Sequence, residues 1–174
     1  MTEFQAFLLG FLQGLTEFLP VSSSGHLELG NHLLHTIHCD NLSFALTVHA
    51  ATVLSTLFVF RKDITILFAG MTRFRLNGET LYILKLLFSA VPVGIIGIFF
   101  RKEVEGAFNG NLLLVGVCLL LTALLLALSH FLKPGGDKKI TFLHAFIMGI
   151  SQAFAVLPGI SRSGSTIATG LLLG

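Results

Sequence analysis

Residues Gln13–His26 read QGLTEFLPVSSSGH: one glutamate, three serines and a histidine carried inside an apolar run that Pro20 interrupts. The theme returns near the end of the chain at Pro158–Thr166, PGISRSGST, where Arg162 sits in equally apolar surroundings. Each stretch couples a helix break to a cluster of hydroxyls. They read as the two halves of one site.

The surroundings set the solvent. At 174 residues, with 53% hydrophobic and 11% charged and a mean hydropathy of +0.86, the chain carries more apolar surface than a soluble domain of its length can bury. It is therefore expected to be an integral membrane protein. A formal net charge of +2, with no basic run interleaved with aromatics, argues against nucleic acid as a partner. The opening MTEFQ lacks the basic segment of a signal peptide, so the N-terminus is expected to be retained. Cys39 in a polar stretch and Cys118 inside an apolar one imply no disulfide framework.

A bilayer core of ~30 Å asks for about 20 apolar residues per helix. Three runs meet that requirement, 43–60, 81–100 and 111–132. Only Lys85 interrupts them, near an end from which it can snorkel. The two ends of the chain differ. Residues 4–19 stop at Pro20 and 140–157 stop at Pro158–Gly159, and half-helices of this kind are tolerated at membrane depth only around a buried or cavity-lining turn. Residues 1–42 and 140–174 are accordingly expected to form two re-entrant helical hairpins.

These hairpins are related in sequence. GFLQGLTEFLPVSSSG from Gly10 and GISQAFAVLPGISRSG from Gly149 share Gly and Gln at an offset of 139 and Leu-Pro at an offset of 138. Interrupted apolar segments repeated in this way point to an inverted-repeat membrane fold with its site at the repeat interface. Charge placement agrees: residues 61–80, read as a loop, hold four Lys/Arg and 133–139 three, while 101–110 hold two and 27–42 none. The positive-inside rule then puts the first and third of these loops on the cytoplasmic side, with the two hairpins entering from opposite faces. The expected fold is one all-α, polytopic membrane domain over residues 1–174. Its second repeat is too short to match the first, so a C-terminally truncated chain is expected.

Gln13 and Glu17 share a helix face, and a carboxylate inside a membrane costs a few kcal/mol, roughly 2.5 to 3.5 on insertion scales. Simple interhelical hydrogen bonding is the plain explanation; a hard divalent cation, Mg²⁺ or Ca²⁺, is the sharper one. Ser22, Ser23, Ser24 and Gly25 read as the start of a second half-helix, whose free N–H groups and hydroxyls suit a phosphate. His26 in its first turn is a candidate base or nucleophile. Arg162 matches phosphate oxygens bidentately, or else pairs structurally with Glu17. Ser161, Ser163 and Thr166 surround it. His32, His35, His38, Cys39 and Asp40 do not converge on one helix face, since His38 points about 240° from His32 at 100° per residue. His49, His130 and His144 read as packed or interfacial.

QGLTEFLPVSSSGH and PGISRSGST closely resemble the two signature motifs of the bacterial undecaprenyl-diphosphate phosphatases, also called bacitracin-resistance proteins. The resemblance implies hydrolysis of undecaprenyl diphosphate to the monophosphate carrier and inorganic phosphate for peptidoglycan synthesis, protection against bacitracin, and a multi-pass location in the bacterial inner membrane. It implies Glu17 and Gln13 at the divalent cation and Ser23 and His26 as nucleophile or base. Arg162 falls at the diphosphate-binding position, with Ser161, Ser163 and Thr166 in support. Gln13 is the amide form of a position that also occurs as glutamate. The expected partners are the polyprenyl diphosphate and membrane lipids, with a homodimer as a candidate assembly. The competing class is a non-hydrolytic lipid-phosphate or anion transporter, since opposed re-entrant hairpins also suit transport.

Overall fold

Helix α1 (Glu3–Glu17) starts where Thr2 and Gln5 form a reciprocal capping box, which satisfies two N–H groups that the first turn leaves free. It stops before Pro20. In the computed structural model, which describes residues 1–36, 41–71, 78–107, 111–132 and 139–174, the chain then turns through Ser22 into α2 (Ser23–Leu33). The order continues with α3 (Asn41–Val59), α4 (Arg61–Met71), α5 (Gly78–Phe99), α6 (Arg101–Ala107), α7 (Leu112–Leu132), α8 (Phe142–Phe154) and α9 (Arg162–Leu173). No strand occurs among the described residues.

Helices α5 and α7 are each long and apolar enough to cross a membrane, and α3 with α4 makes a third candidate bent by 73°. The bend corrects one reading. Residues 61–71 are helical rather than part of a loop, because RKDITILFAGM carries an acidic residue, Asp63, in its first turn, where the helix dipole favours it, and apolar residues beyond. Helix α6 likewise occupies most of a segment read as a loop. Arg73, Arg75, Lys133, Lys138 and the His38–Asp40 part of the histidine-rich segment lie outside the described residues.

Burial is inverted relative to a soluble protein. The buried apolar side chains are few, among them Leu9, Leu27, Val115 and Ala168, while Phe4, Phe7, Leu113, Leu120 and Phe131 are broadly exposed. Apolar residues on this scale outside the core fit a chain whose solvent is lipid. The protein is an all-helical, polytopic membrane protein.

Small residues set the helix contacts. An added Cβ at Gly149 of α8 would collide with the backbone carbonyl of Ser89 in α5, and Phe88 packs on Phe142 and Phe146 beside it. Lys85 does more than reach for the interface: its Nζ donates to the carbonyl of Ile140 at 2.6 Å, just ahead of α8. The break between α8 and α9 is anchored on α7. Thr122 Oγ1 donates to the carbonyl of Gly159 and accepts from the N–H of Ser161, both at 3.0 Å. Gly159 has φ +98°, and a Cβ there would lie 2.6 Å from the carbonyl oxygen of Val115 and 2.7 Å from Cys118 Cβ. Gly159→Ala combines a left-handed backbone with overpacking, each worth about 1–3 kcal/mol. A large drop in thermal midpoint is expected in detergent, whereas Gly94→Ala, which meets nothing within 4 Å, should leave the midpoint unchanged or raise it. Equal midpoints for the two variants would refute this account of the break.

The two breaks touch. An added Cβ at Gly25 would lie 2.9 Å from Gly159 Cα, and one at Gly164 would lie 2.9 Å from the carbonyl oxygen of Pro20. Ser163 Oγ also reaches the carbonyl of Leu19 at 3.4 Å. Backbone meets backbone because glycine is present at each crossing.

Candidate active site

The touching breaks wall a cavity of about 600 Å³ lined by Glu17, Ser22–Ser24, Ser161–Ser163 and Thr166, with His49 and Gln152 from α3 and α8. The two stretches that read as halves of one site therefore meet in one place, although 144 residues separate the bonded pair Leu19 and Ser163.

The same capping hydrogen-bond pattern forms both sides, although Ser22 is left-handed (φ 67°) and Ser161 extended (φ −73°). Ser22 caps α2 by accepting from the N–H of Gly25 at 3.3 Å, and Ser161 caps α9 by accepting from the N–H of Gly164 at 3.0 Å. Within each cap the next serine but one leans on the first, Ser24 on Ser22 at 3.4 Å and Ser163 on Ser161 at 3.1 Å. Ser-Ser-Ser-Gly at 22–25 and Ser-Arg-Ser-Gly at 161–164 stand 139 residues apart, so Ser23 and Arg162 occupy equivalent first positions of their helices. Two helix N-termini thus open on one cavity. Their dipoles and N–H groups favour an anion there.

Glu17 is the centre of the polar contacts. Its Oε2 accepts from Gln13 Nε2 at 2.8 Å and from Ser23 Oγ, and it lies 3.9 Å from His49 Nε2. Glu17 Oε1 has no such contact among the described residues. Gln13 is fully buried, and its Oε1 has no hydrogen-bond partner. A carboxylate joined to a buried amide whose oxygen has no partner among the described residues offers oxygen donors of the kind a hard cation takes. The residues present therefore fit a divalent cation.

Arg162 is exposed and lines the cavity, and its guanidinium forms no ion pair or hydrogen bond among the described residues; structural pairing with Glu17 does not occur. Thr166 lines the cavity while donating to the carbonyl of Arg162 at 2.8 Å. Three expected site residues are not part of the cavity lining: Gln13, which is buried, Gly25 and His26. Gly25 is buried, its N–H taken by Ser22 and its Cα pressed against Gly159, so it serves close packing. His26 is half-buried, and its Nδ1 lies 2.9 Å from the carbonyl of Ser22. A carbonyl can only accept, so Nδ1 carries the proton and Nε2 of the neutral ring is bare.

Two cavity residues escape a local reading. His49, read as packed or interfacial, lines the cavity with its side chain 40% exposed. Gln152 also lines it, its side-chain amide without a hydrogen-bond partner among the described residues. Gln152 carried a signal, its place opposite Gln13 in the repeat. His49 carried only its polarity within an uncharged run, which does not say which helix it faces.

Comparison with known proteins agrees with the motifs. The family described as Bacitracin resistance protein BacA matches residues 6–174. A curated undecaprenyl-diphosphatase of Bacteroides fragilis (strain ATCC 25285) is 53% identical over 174 residues, covering 100% of this chain and 65% of its own length. One of Parabacteroides distasonis is likewise 53% identical at 65% coverage, and one of Alkaliphilus metalliredigens is 39% identical over 187 residues, 68% of its length. The chain thus spans about 65% of the first of these relatives.

Proposed function

The chain belongs to the bacitracin resistance protein BacA family, and on that premise we propose that its cavity hydrolyses the terminal phosphate of a polyprenyl diphosphate, undecaprenyl diphosphate being the substrate its relatives' name indicates. The product is the monophosphate carrier, recycled for peptidoglycan synthesis at the bacterial inner membrane, with bacitracin resistance as the consequence. The observation that carries this reading is Ser23 hydrogen-bonded to Glu17 in the same cavity as the unpaired Arg162.

The chemistry follows from those positions. Arg162 and the N-termini of α2 and α9 bind the diphosphate and offset the charge that develops during phosphoryl transfer. Ser23 Oγ attacks the terminal phosphorus as its proton passes to Glu17 Oε2. The P–O bond to the bridging oxygen breaks, and polyprenyl phosphate departs. Water then attacks the phosphoserine, the Oγ–P bond breaks, inorganic phosphate leaves and Glu17 returns the proton to Ser23. His26 acts outside the cavity as a positioning residue, because its ring holds the carbonyl of Ser22, whose φ of 67° sets the turn into Ser23. A divalent cation held by Gln13 and Glu17 would supply further charge neutralisation for the diphosphate.

Phosphate release from a long-chain polyprenyl diphosphate by the purified chain in detergent tests the reading. Release with Mg²⁺ or Ca²⁺ that EDTA abolishes is expected, with an acid-stable phosphoserine trapped in the native chain and absent from Ser23→Ala. A folded chain that binds the lipid without releasing phosphate would instead be a binder or transporter.

A further inference from the structure

His49 sits in α3, a helix without Lys, Arg, Asp or Glu, yet it turns its ring toward the most polar point of the cavity. Its Nδ1 lies 2.7 Å from the carbonyl of Ala45. Because that carbonyl can only accept, the hydrogen is on Nδ1, and Nε2 of the neutral ring presents a lone pair. Nε2 faces Glu17 Oε2 at 3.9 Å. That separation is too long for a hydrogen bond. It is within the span of two ligands that each lie roughly 2.1 Å from a shared ion.

A second, independent feature meets the same carboxylate oxygen. Gln13 donates its Nε2 to Glu17 Oε2, which leaves its Oε1 fully buried and without a partner. The amide of Gln13 and the imidazole of His49, from two helices, therefore both meet the carboxylate of Glu17. We propose that His49 Nε2 is a third protein ligand for the divalent cation assigned above to Gln13 and Glu17. The inference rests on that cation reading and extends it. Its hydrogen bond to Ala45 does for the ring what an outer partner does in metal sites generally: it selects the tautomer and fixes the orientation. The ligand set is consequently mixed nitrogen and oxygen, which moves the preference from Ca²⁺ toward first-row transition metals.

Mn²⁺ alone is the probe. The purified 174-residue chain in nanodiscs is titrated with Mn²⁺, free ion being read by continuous-wave EPR, and the bound ion is examined for nitrogen coupling by electron spin-echo envelope modulation. Bound Mn²⁺ is expected to show ¹⁴N modulation that is replaced by a ¹⁵N pattern when the unsubstituted chain is made with [¹⁵N]histidine. This measurement requires no altered residue. The modulation is expected to vanish in His49→Gln, with Mn²⁺ affinity weakened at least tenfold, and to persist in His26→Gln. Modulation retained in His49→Gln, or lost in His26→Gln instead, overturns the assignment and leaves the site on Gln13 and Glu17 standing. An unsubstituted chain that binds Mn²⁺ without histidine coupling overturns it equally. Failure of the native chain to bind Mn²⁺ at all overturns the cation reading itself, an outcome distinct from the other three.

Discussion

Arg162→Ala is expected to lower kcat/KM for polyprenyl-diphosphate hydrolysis by about 10²–10³-fold, the loss that follows removal of one preorganised donor from a transition-state charge. The thermal midpoint should barely move. Arg162 lies in the first turn of α9 with no carboxylate beside it among the described residues, so its removal strands no buried charge. This separation of activity from stability distinguishes a substrate-facing arginine from a structural one, whose loss costs about 3–5 kcal/mol of stability when a buried partner is left behind. Arg162→Lys keeps the charge but loses the planar fork that engages two phosphate oxygens, and should recover only part of the rate. A folded Arg162→Ala chain with an unchanged rate would refute its role.

Glu17→Gln and Ser23→Ala are each expected to reduce kcat by about 10²–10⁴-fold, the range for a general base and its proton donor. The informative measurement is the double variant. If Glu17 Oε2 takes the Ser23 proton, as their hydrogen bond suggests, the second substitution removes something the first has already disabled. Adding Ser23→Ala to Glu17→Gln should then have little further effect on kcat, as in other sites whose groups act as a unit. Multiplicative losses would show that Ser23 and Glu17 work independently, and would return the nucleophile's identity to His26 or water. Glu17→Gln should also weaken divalent-cation binding, whereas Ser23→Ala should leave it close to that of the native chain; the two residues are thereby separable by a measurement that does not depend on turnover.

The structure changes how His26 reads. From position alone, a histidine in the first turn of a half-helix looks like a base aimed at substrate. In the fold its Nδ1 is engaged by the carbonyl of Ser22, and His26 is not among the residues that line the cavity. Ser23, three residues earlier, is the group that meets Glu17. The histidine that enters the cavity is His49, from a helix that looked uniformly apolar.

Local chemistry was enough for a great deal. Apolar runs of membrane length, the breaks at Pro20 and at Pro158–Gly159, and the serine caps at Ser22 and Ser161 all arise from interactions within a few residues, so their signals lie side by side in the chain. The association of the two motifs was also legible, because unpaired polar groups in a membrane need partners and each motif could answer the other's need. The helical character of residues 61–71 was missed: a charged start followed by apolar residues resembles a loop entering a span when only charge is counted. What only the tertiary structure decided is which groups face one another. The convergence of Gln13, Ser23 and His49 on Glu17, the pinning of the second break by Thr122, and the presence of Gln152 in the cavity lining all depend on helix rotation and crossing. Those are set by glycine-lined backbone contacts such as Gly25–Gly159 and Gly149–Ser89, and a hydrophobic pattern that is apolar nearly all round a helix does not encode its rotation.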